Sequence, residues 1–409
     1  MSTNPFLSRR AFGAGAVAAA ALAAFSAMPS GEQPKSVAAS TEPTGESSKL
    51  TSTQQPDVMT APADQWPFFR GNPNSTGVSN SKLPDAPELV WKYEVKGGSF
   101  KATPAIDKGV VYIADEDGEV YAFDLVTGDL KWKKETETGF KAPIGVRGDK
   151  IYAGDYDGVF HCYSKKDGEE LWKYDAKAEI DSSPNFYMDL VLFGSQAGTL
   201  YALDAEKGTF AWQYEIQDQI QCSPTVVENR CFLAGCDQIF HVLDLDKKGE
   251  KVGGIKIGAP SGNTPAVKGD HVFFGTMAGD VYCVDWRKVE TVWTFRDPEN
   301  SEGYFGSPAV GKHVYIAGKH KILSAIDLTT GKEKWQFAGK SKSESSPVLV
   351  GDRLYAPFFD GRIYAVDVES GQMKWQYETG ARLTGSPAVA DGKLVIANEG
   401  GAVYCFGKK

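Results

Sequence analysis

The stretch AFDLVTGDLKW occupies residues 122–132, and three others repeat its frame: ALDAEKGTFAW at 202–212, AIDLTTGKEKW at 325–335 and AVDVESGQMKW at 365–375. An alternating apolar run precedes the frame, as in Glu119-Val120-Tyr121-Ala122-Phe123, and another follows it, as in Leu130-Lys131-Trp132. Alternation built from aromatic and β-branched residues argues for strands. Between them Asp124 can accept hydrogen bonds from the amides that follow, and Gly128 tolerates positive φ. The unit is a β-hairpin. Trp132, on its second strand, is large and has an N–H to donate, which suits a residue wedged between neighbouring modules.

A second phrase recurs upstream: a proline opening a short apolar strand, a turn, and a strand like Val111-Tyr112-Ile113-Ala114. The prolines are Pro104, Pro143, Pro184, Pro224, Pro265, Pro308, Pro347 and Pro387, with successive gaps of 39, 41, 40, 41, 43, 39 and 40 residues. A fixed period near forty residues reads as a repeat architecture. Trp132, Trp172, Trp212, Trp293, Trp335 and Trp375 fill the tryptophan position, with Val252 in the fourth copy. The eighth copy stops at Tyr404-Cys405-Phe406, short of its tryptophan, while ELVWKYEV, carrying Trp91, precedes the first proline. An N-terminal strand that completes the last module closes a ring and removes its free edges. The expected fold is all-β: an eight-bladed β-propeller of four-stranded antiparallel blades, over residues 65–409.

Residues 1–64 differ in character. Arg9 and Arg10 stand before an uncharged Ala-rich stretch, and Ser8-Arg9-Arg10-Ala11-Phe12 resembles a twin-arginine (Tat) export signal. Residues 1–27 are therefore expected to be a signal peptide, and 28–64, rich in Ser, Thr, Pro, Gln and Glu, a disordered tether. The expected location is the periplasm or cell envelope, with the membrane touched only through an uncleaved signal. The formal net charge of −9 argues against a nucleic-acid partner.

Of six cysteines, Cys162, Cys283 and Cys405 take the small buried position that alanine holds in the repeat, and Cys231 fills an apolar strand position. Cys222 and Cys236 fall at one end of blade 4, where a disulfide between them is geometrically open. The carboxylates of Asp115-Glu116-Asp117-Gly118 and Asp155-Tyr156-Asp157-Gly158 read as turn chemistry, because the rest of a calcium loop is absent. No pair among the five histidines has metal-ligand spacing.

The hairpin frame with its forty-residue period resembles the pyrroloquinoline-quinone (PQQ) repeat, over residues 66–409. The segment WPFFRGNPNSTGVS, from Trp66, resembles lead-in segments that precede such propellers in exported bacterial proteins. The resemblance implies one of two functions. Quinoprotein dehydrogenases of this kind bind PQQ and calcium and oxidise alcohols or sugars. Other members bind no cofactor and act as scaffolds, including in outer-membrane β-barrel assembly. The dehydrogenases carry an adjacent Cys-Cys pair and long loops, neither of which occurs here. The expectation is a monomeric, non-catalytic scaffold for an envelope protein or peptide, with no catalytic, metal or cofactor residues. A PQQ- and calcium-dependent dehydrogenase is the alternative. The residues just before each proline should ring one mouth of the channel and form the binding surface: Lys101, Lys141, Asp181, Gln221, Asn263, Phe305, Glu344 and Arg382. The blade-locking set is Trp91, Trp132, Trp172, Trp212, Trp293, Trp335 and Trp375.

Overall fold

The computed structural model describes residues 62–298 and 302–409. The expected signal peptide, residues 1–27, and the expected tether up to residue 61 lie outside the described residues. The sheets form an eight-bladed β-propeller. In blade 1 the strands Ala105–Asp107, Val110–Ala114, Glu119–Asp124 and Leu130–Glu135 pair in sequence from the channel outward. Blades 2 to 7 repeat this order. In blade 8, Ala388–Ala390, Lys393–Ala397 and Ala402–Gly407 are completed by Glu88–Glu94, which runs antiparallel with Tyr93 opposite Val403. The ring closes as the truncated eighth repeat requires.

The hairpin turns behave as their residue types dictate. Asp124 Oδ1 accepts the amide protons of Val126 and Thr127 at 3.0 and 3.1 Å, and Gly128 sits at φ +77°. Asp115 Oδ1 likewise accepts from Asp117 and Glu119, so the acid-rich turns are hydrogen-bonded turns. Burial between blades supplies the core. Phe160 of blade 2 stacks on Phe193 of blade 3 at 3.8 Å, and Phe240 of blade 4 on Phe274 of blade 5 at 5.0 Å. Each such ring contributes about 1.5–3 kcal/mol through the apolar surface it removes from water.

Tryptophan joins one blade to the next. The indole N–H of Trp91 donates to Leu125 O, that of Trp293 to Leu328 O and that of Trp335 to Val368 O, at 2.9–3.0 Å. The indole face lies on the turn glycine of the following blade. A Cβ at Gly128, Gly168, Gly208, Gly249, Gly331 or Gly371 would fall 2.5 to 2.8 Å from the ring. Only glycine fits.

The blade 4–5 joint departs from this pattern. The residue opposite Val242, where other blades place tryptophan, is Gly253 rather than Val252, because the hairpin of repeat 4 is one residue longer. The following turn carries Val289, at φ +57°, where the others have glycine. Trp286 of blade 5 fills the space from the other side, buried and edge-on to Phe232 of blade 4 at 5.6 Å, with its N–H donated to Gly269 O. Large and small residues have changed owners across one joint.

All six cysteines are buried free thiols, so Cys222 and Cys236 are not bridged. Burial pushes their thiols up to about 12 and about 11.

The segment after residue 62 is not tether. Ala63 O accepts from Asp391 N of blade 8, and Gln65–Trp66 pairs antiparallel with the innermost strand of blade 1. From there the backbone circles inside the channel as a lead-in coil. Pro67, Pro73, Asn74, Thr76 and Gly77 carbonyls accept the amides of Val146, Val226, Val267, Val310 and Leu349, on the innermost strands of blades 2, 4, 5, 6 and 7. Asn185 of blade 3 donates its side-chain amide to Pro73 O. Val78–Ser79 finally runs parallel to Val348–Val350. Every blade is touched. These bonds satisfy backbone groups that an open channel would leave to water.

A candidate binding cup at the channel mouth

The step before each proline builds a girdle. Ser183, Ser223, Thr264, Ser307 and Ser346 each pass their backbone N–H to the hydroxyl oxygen of the equivalent residue in the next blade, at 2.8–3.0 Å. The last of these acceptors, Ser386, donates its amide to Thr103 Oγ1. Six bonds thus span seven blades. The gap is at blade 2, where the step is one residue short and Pro143 has no amide proton; there Phe69 N, from the lead-in coil, donates to Ser183 Oγ. Phe69 also lies against the mouth cavity, which encloses about 530 Å³.

Seven of the eight expected mouth residues line this cavity: Lys101, Lys141, Asp181, Gln221, Phe305, Glu344 and Arg382. Asn263 does not. It is buried one residue further in, donating to Tyr304 O and accepting from Gly275 N at 2.9 Å each, and Gly262 takes the lining position. In blade 8 the cavity is lined by Thr384 and Glu399 as well as Arg382.

The rim charges are paired. Lys101 meets Glu116 at 2.6 Å, Lys141 meets Asp181 at 2.8 Å, Lys319 meets Glu344 at 3.5 Å and Arg382 meets Glu399 at 3.5 Å. Burial pushes the Glu116 carboxyl up, but hydrogen bonds from Lys101, Ser99 and Tyr156 outweigh it and leave the group below the ordinary carboxylate range. Glu179 stands above that range, through burial and the neighbouring Asp181. Lys319 caps the Phe305 ring at 3.6 Å and Arg382 the Phe359 ring at 3.7 Å, favourable cation–π distances.

Below the cup lies Arg70, fully buried in the lead-in coil. Its Nη2 donates to the carbonyls of Pro308 and Pro347 at 3.0 and 2.7 Å, while burial pulls the guanidinium pKa down to about 9. A Cβ at Gly77 would strike this guanidinium. Two ring-spanning bonding systems, coil and girdle, are what the expectation of single rim residues missed. The recurring Ser or Thr before proline was the available signal for the girdle.

Comparison with known proteins agrees with this architecture. The PQQ-repeat family model described as outer membrane protein assembly factor BamB matches residues 84–156, 133–222, 157–252 and 238–409. The chain belongs to the PQQ-repeat propeller family. The structure of BamB from Moraxella catarrhalis is similar to this PQQ-repeat propeller with a TM-score of 0.67 and 18% identity, over 79% of this chain and 98% of that one. Quinohemoprotein alcohol dehydrogenase from Comamonas testosteroni is similar with a TM-score of 0.71 and 15% identity, over 85% and 81%. A europium-containing methanol dehydrogenase gives 0.72 and 14%, over 85% and 98%. Such identities establish a shared fold. A curated relative, serine/threonine-protein kinase AfsK of Streptomyces griseus, is 35% identical over 98 residues, which are 23% of this chain and only 12% of the kinase.

PQQ with calcium can be tested against the residues present. Calcium asks for six to eight oxygen ligands converging on one point. Among the described residues no three His, Cys, Asp or Glu side chains converge in this way, and the cup acids Asp181, Glu344 and Glu399 are each engaged by a cation. The donor set does not fit the group.

Proposed function

We propose that this propeller is exported to the cell envelope and holds a protein partner there as a non-catalytic scaffold, with the cup as its recognition site. One observation carries the reading. The chain's own residues 63–79 fill the channel, and what is left open is a cup of hydroxyls, ion pairs and capped phenylalanines rather than an enclosed pocket with a convergent acid, base or metal set. Ligand sites for small molecules bury most of their guest among apolar walls; this one offers a wide polar rim, suited to a protruding segment of another protein. The family match to an outer-membrane assembly factor supports the same reading, as do the paired Arg9 and Arg10 for export.

The test places a photo-crosslinking residue at Gln221 on the cup and, as a control, at Lys207 on an outer hairpin, and irradiates whole cells. One defined protein adduct from Gln221 and none from Lys207 is expected. In parallel, PQQ and calcium are titrated into the pure protein. Micromolar binding with alcohol- or sugar-dependent dye reduction would overturn the scaffold reading in favour of a quinoprotein.

A further inference from the structure

We propose that the cup seats a carboxylate carried on a peptide, from an acidic side chain or from the peptide's C-terminal end; this rests on the scaffold reading and gives its recognition chemistry. Two independent observations point to an acceptor-rich anion.

The first is the girdle. Thr103, Ser223, Thr264, Ser307, Ser346 and Ser386 all line the cavity, and all but Thr103 both give an amide proton to one neighbouring blade and take one from another at the hydroxyl; Thr103 likewise accepts at the hydroxyl oxygen. Among the described residues none of the six donates its own hydroxyl proton to a protein acceptor. A hydroxyl has one proton and two lone pairs. The amide bond fixes each oxygen in place and leaves the proton for something in the cup. Six such donors around one axis form a ring that wants acceptors.

The second is the rim. In its ion pairs the cation is the better exposed member: 36% for Lys101 against 20% for Glu116, 43% for Lys141 against 7% for Asp181, and 45% for Arg382 against 21% for Glu399. An arriving group therefore meets positive charge first and O–H donors beneath. The chain as a whole carries −9 and the cavity is lined by three cations and three acids, so the positive character is confined to the better exposed ends of these pairs. A carboxylate presents about four lone-pair sites and makes the stronger, charge-assisted class of hydrogen bond. The acids are turned to their own lysines and arginine, so an ammonium group would meet two buried acid oxygens without a hydrogen bond, Asp181 Oδ1 and Glu399 Oε1, against the six hydroxyl protons open to a carboxylate. Phe69 and Phe305 supply the apolar contact that the aliphatic part of a side chain needs.

The test is calorimetric titration of the full-length protein with three short peptides: one with blocked ends and a central glutamate pair, its glutamine counterpart, and the glutamine peptide with a free C-terminus. Binding of the first or third, but not of the blocked glutamine peptide, is expected, and which of the two binds identifies the source of the carboxylate. Lys141→Gln and Arg382→Gln, both at exposed positions, should each weaken it about tenfold, as should raising the salt. A melting curve on each variant checks that it is folded. Equal binding of the blocked glutamine peptide, binding undiminished in both variants, or no binding of any peptide overturns the proposal. None of these outcomes touches the scaffold reading, which is tested by the Gln221 adduct and by the PQQ titration.

Discussion

The joints between blades 6 and 7 and between blades 4 and 5 do the same job with opposite parts. At the first, Trp335 of the leading blade lies on Gly371 of the following one. At the second, the leading blade offers Gly253 and the following blade supplies Val289 and Trp286. A joint needs a given volume of buried aromatic and a matching absence of side chain opposite it. Which blade owns each part is free, provided both change together. Cores tolerate rearrangement when total volume is kept.

The sharpest way to break either joint is to remove a whole partner. Deleting residues 86–96 takes Trp91 and the closing strand from blade 8, and the expected result is loss of cooperative unfolding in a thermal scan. Next in size, Trp286→Ala should cost about 3–5 kcal/mol in urea denaturation, the usual range for a buried large aromatic, and half-buried Trp335→Ala about 3 kcal/mol, at the lower end of that range. A value below about 1 kcal/mol for Trp286→Ala would mean that the blade 4–5 joint is sealed by something else. A smaller contrast follows from the turns. Gly371→Ala sets a Cβ 2.7 Å from the Trp335 ring at φ +69° and should cost about 1–3 kcal/mol, whereas Val289→Ala, already at positive φ with a side chain, should cost about 1 kcal/mol.

Blade 4 also offers a pH test. His241 stands where most repeats carry tyrosine, bonded to Asp237 and Tyr214, and burial lowers its pKa below the ordinary 6.5. The unfolded protein then binds the proton more readily, so this site's contribution is full above about pH 6.5 and is lost as pH falls below it. His241→Tyr should flatten the fall in melting temperature between about pH 7 and pH 5. The smallest effect is chemical. A thiol reagent should count six cysteines in the denatured protein and close to none in the native one; a shortfall under denaturing, non-reducing conditions would reveal a bridge that the structure lacks.

Much of this was legible because a repeat measures itself. Forty-residue spacing and the misplaced Trp91 carried the blade count and the closure. Errors came where one copy slipped by a residue. The longer hairpin of repeat 4 moved the tryptophan position from Val252 to Gly253, and in blade 5 the lining passed from Asn263 to Gly262. The lead-in coil was not readable at all as structure. It occurs once, so no other copy aligns with it, and its bonds reach partners more than 200 positions away, as Arg70 does to Pro308.

That coil gives the molecule a sense of completion. Ser81, near the start, receives a hydrogen bond from Gly392, 311 positions later, and Glu88–Glu94 waits for Ala402–Gly407. A polypeptide leaving the ribosome can assemble seven blades in order, yet its opening residues have no wall to lean on until the final strands emerge. Long-range closure of this kind is slow and comes late. A prematurely terminated product would leave an open edge and a loose lead-in, both ready substrates for a protease.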